Sequence, residues 1–348
     1  MPDIDPWYLD HLVCPAEGGP LRCDGRDLVS GTGRRYPIVD GVPVMLLTDR
    51  RQTIRLARAS IERAHGRVPT ESRFPHFYVE TLALGTAERE RLVQLAAGSE
   101  CAIDPVALML LRATSGHAYA DLVGNTSLRS YPIPRIGLSP GRGRSLLDLG
   151  CSWGRWSLAA ARADYRVVGL DPSLGAVMAA RRIAGALGHE IRWVVGDARW
   201  LPFRAGAFDT VHAYSVLQHF AKDDARRALA EAGRVLAAGG IARIQLASRA
   251  GLRSLQHQWR RRFREPQGFE VRYWSLREMR QACEAAIGPV QLSSDGYFGL
   301  GWQWQDFAHM PARLKPVLIA SEGLRRASVL VPLLRRIADS IVCTAERT

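Results

Sequence analysis

The sequence is nearly devoid of lysine. Lys222 and Lys315 are the only two, and the rest of its 47 basic residues are arginines. With 34 acidic residues, the formal net charge is +13 and the pI is about 10.1. Such a charge would suit a polyanion such as RNA, because phosphate contacts dominate nucleic-acid affinity. An arginine-rich surface without a nucleic-acid partner is the interpretation that we prefer, because this skew often follows from a GC-rich coding sequence.

Cysteine is also scarce, and no two of the six cysteines form a CxxC pair. They stand at Cys14, Cys23, Cys101, Cys151, Cys283 and Cys343. In a chain of 348 residues, this scatter argues against a disulfide framework. The lack of a CxxxCxxC cluster also excludes iron–sulfur radical chemistry.

Long apolar runs are missing as well. No stretch of about 18 uncharged apolar residues occurs, so the sequence predicts no membrane-spanning helix. The first ten residues, MPDIDPWYLD, lack the basic and apolar regions of a signal peptide. We therefore expect a cytoplasmic protein.

Three segments differ in their pattern. Residues 1–49 contain short strand-like runs separated by Gly, Asp and Pro, which predicts a small β unit. Residues 50–140 show helical periodicity and end in a linker rich in Pro and Gly. Over residues 141–348, strands alternate with helices, which predicts an α/β domain with a mostly parallel sheet.

The stretch SLLDLGCSWGRW, from residue 145, reads as a strand, a glycine turn and the start of a helix. Asp148 lies near the end of the strand, Gly150 lies in the turn and Gly154 opens the helix. Glycine lets the backbone pass close to a ligand and adopt torsions that other residues avoid. Asp171 ends the next strand, where an acid in doubly wound folds accepts hydrogen bonds from ribose hydroxyls. The pattern predicts a bound nucleotide-like cofactor, either NAD or S-adenosylmethionine.

Three details favour S-adenosylmethionine over NAD. A dinucleotide site needs G-x-G-x-x-G, whereas Gly150 and Gly154 are separated by three residues and Ser152 takes the place of a middle glycine. Asp148 would repel a diphosphate but suits a ligand that carries an ammonium group. Asp197, in GDARWLPF, closes the following strand and can accept a hydrogen bond from an adenine amino group.

Residues 145–248 resemble a class I S-adenosylmethionine-dependent methyltransferase. The motifs are LLDLGCSWGRW, VVGLDPS, GDARWLPF, FDTVHAYSVLQHF and RVLAAGG. The resemblance implies a Rossmann-like α/β fold with a seven-stranded, mostly parallel sheet. It also implies that Asp148 and Gly150 hold the methionyl part of the cofactor and that Asp171 holds the ribose. Asp197 and Ala198 would hold the adenine. The remaining predicted cofactor-binding residues are Cys151, Ser152, Gly154, Pro172 and Ser215.

The resemblance also directs attention to the segments where an acceptor would bind. His219, in SVLQHF, is the first candidate general base, although packing or capping is the role that we favour for it. Tyr214 is a candidate catalytic residue that is better suited to lining the pocket. The WRRRFR run at 259–264 mixes arginine with aromatic residues and fits either an anion-binding or base-stacking surface or a solvated helix face. An insertion at about 300–338 separates the last two strands, and we expect it to form part of the acceptor pocket or a dimer contact.

The N-terminal segment, with LDHLVCPAEGGPL and RRYPIVDGVPVML, resembles the small Trm112-like family. Metal-bearing members of that family hold zinc with two cysteine pairs, and zinc requires four ligands. Here Cys14 keeps the first position, but Glu17 stands where its partner is expected. We therefore predict a β unit that has lost its metal site and supports the methyltransferase domain.

These patterns together predict a methyltransferase whose acceptor is a small molecule or a glycan- or lipid-linked precursor. An RNA methyltransferase acting on tRNA or rRNA is the alternative, although no RNA-binding module is recognisable. A catalytically silent scaffold with the same fold is a further alternative, which the three retained acids disfavour. An NAD-dependent oxidoreductase is the least favoured hypothesis. The sequence leaves the acceptor atom and the oligomeric state open.

Overall fold

The computed structural model describes residues 4–52, 55–67, 75–82, 84–98, 102–115, 128–299 and 301–348. These parts of the chain form a small antiparallel sheet, a group of helices and a seven-stranded sheet covered by helices on both faces. The predicted α/β class with a small β-rich unit is therefore confirmed. The predicted helical segment at 50–140 and the insertion at 300–338 each include positions outside the described residues.

The N-terminal unit consists of one short helix and four strands. They are α1 (Pro6–His11), β1 (Leu21–Asp24), β2 (Asp27–Ser30), β3 (Arg35–Val39) and β4 (Val42–Pro43). The strands pair antiparallel in the order β1-β2-β3-β4. Asp5 begins α1, because its side chain accepts a hydrogen bond from the Trp7 amide at 2.9 Å. Within the described residues, three α-helices follow this unit, α2 (Arg55–Ala64), α3 (Thr86–Ala97) and α4 (Pro105–Ser115).

The large sheet contains seven strands in the order β10-β11-β9-β8-β5-β6-β7. Their bounds are β5 (Ser145–Leu149), β6 (Arg166–Asp171), β7 (Arg192–Val195), β8 (Phe208–Ala213), β9 (Leu236–Ala247), β10 (Val290–Gly296) and β11 (Ser340–Glu346). Strands β5 to β9 run parallel, and β11 pairs antiparallel with both β9 and β10. Side chains alternate across the sheet, so Leu146 joins the core on one face while Leu147 and Leu149 join the core on the other.

Six helices pack around this sheet. They are α5 (Arg155–Ala161), α6 (Leu174–Ala186), α7 (Lys222–Val235), α8 (Leu252–Arg260), α9 (Leu276–Ala286) and α10 (Lys315–Leu330). Helix α9 begins after Ser275, whose hydroxyl accepts from the Glu278 amide while the Glu278 carboxylate accepts from the Ser275 amide. Among the described helices, none is long and apolar enough to cross a membrane.

The N-terminal unit docks on β7, the edge strand of the large sheet. The Met45 amide donates to the Val195 carbonyl at 2.7 Å, and the neighbouring Val44 pairs with Val195 in parallel. The Tyr8 hydroxyl donates to the Trp193 carbonyl at 2.9 Å. Buried side chains of the unit belong to the same core as Leu147 and Leu149 of β5. The unit therefore covers the backbone groups that an edge strand would otherwise expose.

Candidate active site

The turn after β5 has an unusual backbone. Gly150 and Gly154 adopt φ values of +70° and +86°, and Ser152 adopts +48° although it is not glycine. The amides of Gly150 and Cys151 both donate to the Leu170 carbonyl, at 2.7 and 3.1 Å. This turn is thereby fastened to the end of β6, where the second predicted cofactor-binding segment begins.

Asp171 lies at the junction of β6 and the following turn. Its carboxylate accepts from the Ser152 amide at 3.0 Å and from the Ser173 amide at 2.9 Å. Burial raises the pKa of Asp171 to about 6, and the negative charge of Asp148 adds to this effect while the two amide donors oppose it. The carboxylate is held in one orientation and still has lone pairs that hydroxyl donors can reach.

Asp148 is deeply buried and faces the helix α5. The Ser157 hydroxyl donates to its carboxylate at 2.6 Å, and His212 Nδ1 lies 3.4 Å from the other oxygen. Arg243 Nη1 lies 3.3 Å from His212 Nε2, so the imidazole bridges a guanidinium and a carboxylate. Burial lowers the pKa of His212, which keeps the ring neutral. Asp148 thus belongs to a polar chain that crosses β5, β8 and β9.

Asp197, after β7, forms a buried ion pair with Arg199. The Arg199 side chain donates to Asp197 Oδ2 at 2.7 Å and the Arg199 amide donates to Oδ1 at 2.9 Å. The side chains are 10% and 3% exposed, respectively. Arg199 also donates to the Arg51 carbonyl at 3.0 Å, and its guanidinium lies 4.3 Å from the centroid of the Trp200 ring. The neighbouring Ala198 is buried as well.

Tyr214 follows β8 and lies in an aromatic and polar cluster. Its ring is 4.4 Å from the Trp156 ring, centroid to centroid, and its hydroxyl donates to Asp295 Oδ2 at 2.5 Å. The Gln303 side chain donates to the Tyr214 hydroxyl at 2.8 Å. The Ser340 hydroxyl donates to the same Asp295 oxygen at 2.8 Å. Burial raises the pKa of Tyr214, so this phenol stays protonated and acts as a donor.

Ser215 is the next residue in the chain and is conformationally strained, with φ +59°. Its amide donates to Gln245 Oε1 at 2.8 Å, and the Gln245 amide nitrogen donates to the Ser340 hydroxyl at 2.7 Å. The strained turn after β8 is therefore held by β9 and β11. Pro172, at the start of the turn after β6, is half-buried.

His219 lies in the short helical turn after β8. Its Nδ1 lies 2.7 Å from the Phe269 carbonyl oxygen, and the two rings stack with centroids 3.9 Å apart. Because a carbonyl can only accept, Nδ1 carries the proton and Nε2 presents its lone pair. Burial lowers the pKa of His219, which keeps the ring neutral at physiological pH. A neutral imidazole with Nε2 as acceptor has the protonation state that a general base requires.

Residues 146–240 match a family model described as a methyltransferase domain. The chain carries a class I methyltransferase domain. The cofactor of this class is the one predicted from the motifs, S-adenosylmethionine. The chain is 35% identical over 131 residues to a tRNA (carboxymethyluridine(34)-5-O)-methyltransferase from Xenopus tropicalis, covering 36% of this chain and 20% of that protein. It is 32% identical over 119 residues to a ubiquinone biosynthesis O-methyltransferase from Azorhizobium caulinodans, covering 34% of this chain and 46% of that protein.

The N-terminal segment of the methyltransferase chain belongs to the UPF0434 family, as its Trm112-like motifs predict. It is 47% identical over 51 residues to a UPF0434 protein from Nitrobacter winogradskyi, covering 14% of this chain and 77% of that protein. The chain spans less than two thirds of the length of the two methyltransferase relatives, at 20% and 46%.

The position of the family's first zinc ligand is occupied by a hydrogen-bonded thiol. Cys14 Sγ lies 3.0 Å from the Tyr36 hydroxyl, and the Glu17 carboxylate instead accepts from the Arg34 side chain at 3.0 Å. In the part of the chain that the structure describes, no group of three or more His, Cys, Asp and Glu residues could hold a metal ion.

The structure brings most of the predicted site residues of the methyltransferase domain to the carboxyl ends of β5 to β8. Sequence reasoning missed several polar residues that contact this group, among them Asp295, Gln245 and Gln303. These residues come from β9, β10 and the segment after β10. No local motif marks them, because their role depends on the pairing of distant strands.

The Gly150 turn gives a direct test of the cofactor site. A Cβ atom at position 150 would lie 2.3 Å from Val216 Cγ2, and the residue has φ +70°. Gly150→Ala is expected to lower the free energy of unfolding by at least about 1–2 kcal/mol and to weaken S-adenosylhomocysteine binding. Chemical denaturation and calorimetry measure the two effects.

Gly188→Ala is the matched control for this change. Gly188 has nearly the same φ, +71°, but a Cβ atom at this position would meet no heavy atom within 4 Å. It therefore reports the cost of the backbone conformation alone. If both variants lose the same stability and both keep the wild-type affinity, the close contact of Gly150 with Val216 has no role in the site.

Proposed function

We propose that the protein transfers the methyl group of S-adenosylmethionine to a small-molecule or a glycan- or lipid-linked acceptor. The observation that carries this proposal is the carboxylate of Asp171, which two backbone amides orient beside the Gly150 turn. A fixed carboxylate is suited to accept from a pair of ribose hydroxyls. At Gly150 a Cβ atom would collide with Val216, so glycine fixes the path of the backbone beside Asp171.

In this proposal, the chain binds the cofactor with residues from three strand ends. Asp171 holds the ribose, the turn from Gly150 to Gly154 contacts the methionyl part, and the turn at Asp197 and Ala198 lies against the adenine. Bound S-adenosylmethionine supplies an already activated methyl group. The residues of the chain therefore have two tasks, to align the acceptor and to exclude water.

On the acceptor side, Tyr214 and Trp156 supply an aromatic wall beside the strained Ser215 turn. The phenol of Tyr214 remains protonated and donates to Asp295, so this residue lines the pocket and does not remove a proton. His219 is the residue that removes the proton of a hydroxyl acceptor, since Nε2 presents a lone pair. These roles favour an acceptor with a ring that packs on aromatic side chains and a hydroxyl group.

His219→Gln is expected to lower kcat for a hydroxylated acceptor by about 100-fold, because the general base is lost. The affinity for S-adenosylhomocysteine should stay unchanged. Steady-state kinetics and calorimetry separate these effects. The control is His189→Gln, which changes a histidine ahead of β7, at the end of the sheet where the parallel strands begin. An unchanged kcat in His219→Gln would assign the histidine to packing on Phe269.

The relatives support two acceptor classes. The Azorhizobium relative is named for ubiquinone biosynthesis, which favours a hydroxylated ring on a lipid tail. The Xenopus relative is named for tRNA, and with the net charge of +13 it supports RNA as the second candidate. We prefer the first class, since the described site is lined by buried aromatic side chains.

Calorimetric titration with S-adenosylmethionine, S-adenosylhomocysteine and NAD is the experiment that tests the proposal. We expect micromolar or tighter binding of the two adenosyl ligands and none of NAD. The ratio of absorbance at 260 and 280 nm reveals RNA that copurifies. Absence of adenosyl binding would leave the fold as a silent scaffold, whereas abundant copurifying RNA would favour the second candidate.

A further inference from the structure

Helix α8 presents its apolar side chains to solvent. Leu252, Leu255 and Trp259 recur on one face and are 44%, 43% and 70% exposed. The opposite face, which is buried, carries the polar residues Ser254 and Gln258. A surface helix of a globular protein normally buries its apolar stripe, so this helix is turned the other way. Its outer face is therefore an apolar surface that is exposed to solvent.

A second exposed apolar segment precedes β11. Within residues 329–337, Val329, Leu330 and Leu333 are 77%, 86% and 64% exposed. This segment leads directly into Asp339, whose Oδ1 accepts from the Ser254 amide at 2.7 Å. The C-terminal end of this segment therefore meets the first turn of α8. We call the exposed side chains of α8 and of residues 329–337 the outer apolar surface.

The outer apolar surface and the candidate active site both lie at the end of the large sheet where the parallel strands have their carboxyl ends. Ser340, at the start of β11, pairs with Ala247 at the end of β9. The carboxyl ends of the parallel strands β5, β6 and β8 lie at this end of the sheet too, together with Asp171 and Tyr214. A partner that covers this surface would therefore be close to the acceptor side of the domain.

Arginines surround the outer apolar surface, and acidic residues are missing from its two segments. Residues 249–264 contain six arginines and residues 323–337 contain four. Of these ten, Arg261 and Arg264 pair with Glu270, and Arg325 and Arg326 pair with Glu322. Arg253, Arg260 and Arg262 are exposed on and just beyond α8. Trp, Leu and Arg together at one face are typical of protein surfaces that lie in the headgroup region of an anionic bilayer.

We propose that the outer apolar surface docks the protein on the surface of an anionic phospholipid bilayer. The aliphatic side chains enter the boundary of the acyl chains while the arginines contact the phosphates. A second copy of the chain fits less well, because a two-fold interface would bring the same arginine clusters together. RNA also fits less well: Trp259 supplies one ring on which a base can stack, but the rest of the surface is aliphatic, with Leu252, Leu255, Leu330 and Leu333. This proposal does not depend on the methyl-transfer reaction.

Cosedimentation of the full-length protein with vesicles tests the docking. Vesicles of phosphatidylcholine alone are compared with vesicles that also contain phosphatidylglycerol. We expect binding to the mixed vesicles only, and weaker binding as the salt concentration rises. Leu255→Ser/Trp259→Ser should weaken the binding by about tenfold or more, because two exposed apolar anchors are removed.

A charge variant provides the second measurement. Arg260→Glu/Arg262→Glu should weaken binding to the mixed vesicles by about tenfold or more. The matched control is Arg142→Glu/Arg162→Glu. It makes the same charge change at two exposed positions at the other end of the sheet, ahead of β5 and β6. This control should bind nearly as the unaltered protein does. Circular dichroism verifies that every variant is folded.

Three results would overturn the proposal. The first is no binding of the unaltered protein to the mixed vesicles. The second is an equal loss of binding in the control and in the Arg260/Arg262 variant, which would indicate an effect of net charge alone. The third is self-association or RNA binding that the α8 variants abolish while vesicle binding is unaffected, which would assign the surface to that other partner.

Discussion

Asp171→Ala is expected to weaken the binding of S-adenosylmethionine by about 1–3 kcal/mol, or about 5- to 150-fold, because hydrogen bonds to a charged group are lost. Calorimetric titration with S-adenosylhomocysteine measures the change without turnover. Asp171 contacts the amides of Ser152 and Ser173, so the substitution also loosens the turn after β5. The effect should therefore lie toward the upper end of this range.

Asp171→Asn separates the charge from the shape. The asparagine keeps a carbonyl acceptor and should retain part of the affinity. The unaltered protein should also bind less tightly as pH falls below about 6, where Asp171 takes up a proton. The asparagine variant should lack this dependence. If both variants bind as tightly as the unaltered protein, Asp171 is not a cofactor ligand.

Protonation of Asp171 has the opposite effect on the stability of the fold: it weakens cofactor binding but stabilises the folded, ligand-free protein. The pKa of Asp171, at about 6, lies above the value for an exposed Asp, so the folded, ligand-free protein holds this proton more tightly than the unfolded chain. The contribution of Asp171 to stability is therefore largest at low pH and declines as pH rises from about 4 through 6. A fall in affinity below pH 6 thus cannot be attributed to acid unfolding by this group.

Arg199→Ala is expected to lower the free energy of unfolding by about 3–5 kcal/mol, because it leaves the buried Asp197 carboxylate without its partner. The pair is almost completely shielded from solvent, with Arg199 only 3% exposed. The variant also loses the hydrogen bond to the Arg51 carbonyl and the contact with the Trp200 ring. Denaturation in urea at neutral pH measures the loss.

Two controls distinguish the buried charge from other effects of this substitution. Arg227→Ala removes an exposed guanidinium that lies 5.7 Å from the centroid of the same Trp200 ring, and it should cost less than about 1 kcal/mol. Asp197→Leu/Arg199→Met removes both charges and should be more stable than Arg199→Ala. If Arg199→Ala were as stable as Arg227→Ala, the ion pair would contribute nothing to the fold.

The main features of the fold were predictable, because short segments of the sequence determine them. The buried runs of β5 and β6 and the glycine turn between β5 and α5 have the periodicities of strand, turn and helix. Asp171 was predictable for the same reason, since it directly ends a strand. The recognition of the two families and the fold class is confirmed by the comparisons and the sheet topology.

Other features depend on contacts between distant parts of the chain. Asp295 reaches Tyr214 across 81 positions, because β10 and β11 return to the edge of the parallel sheet. The ion pair of Asp197 with Arg199 involves close neighbours, but Arg199 also donates to the carbonyl of Arg51, which lies 148 positions earlier in the chain. The reversed orientation of α8 was likewise invisible, since its periodicity gives an apolar face without saying which way that face points.

The β unit that covers β7 is part of the same polypeptide as the catalytic-fold domain. A covalent link of this kind replaces a bimolecular encounter by an intramolecular one. Dilution therefore does not separate the unit from the domain, and the two are always made in equal number. The strand edge is protected from the moment the chain folds, without waiting for a partner to be synthesised.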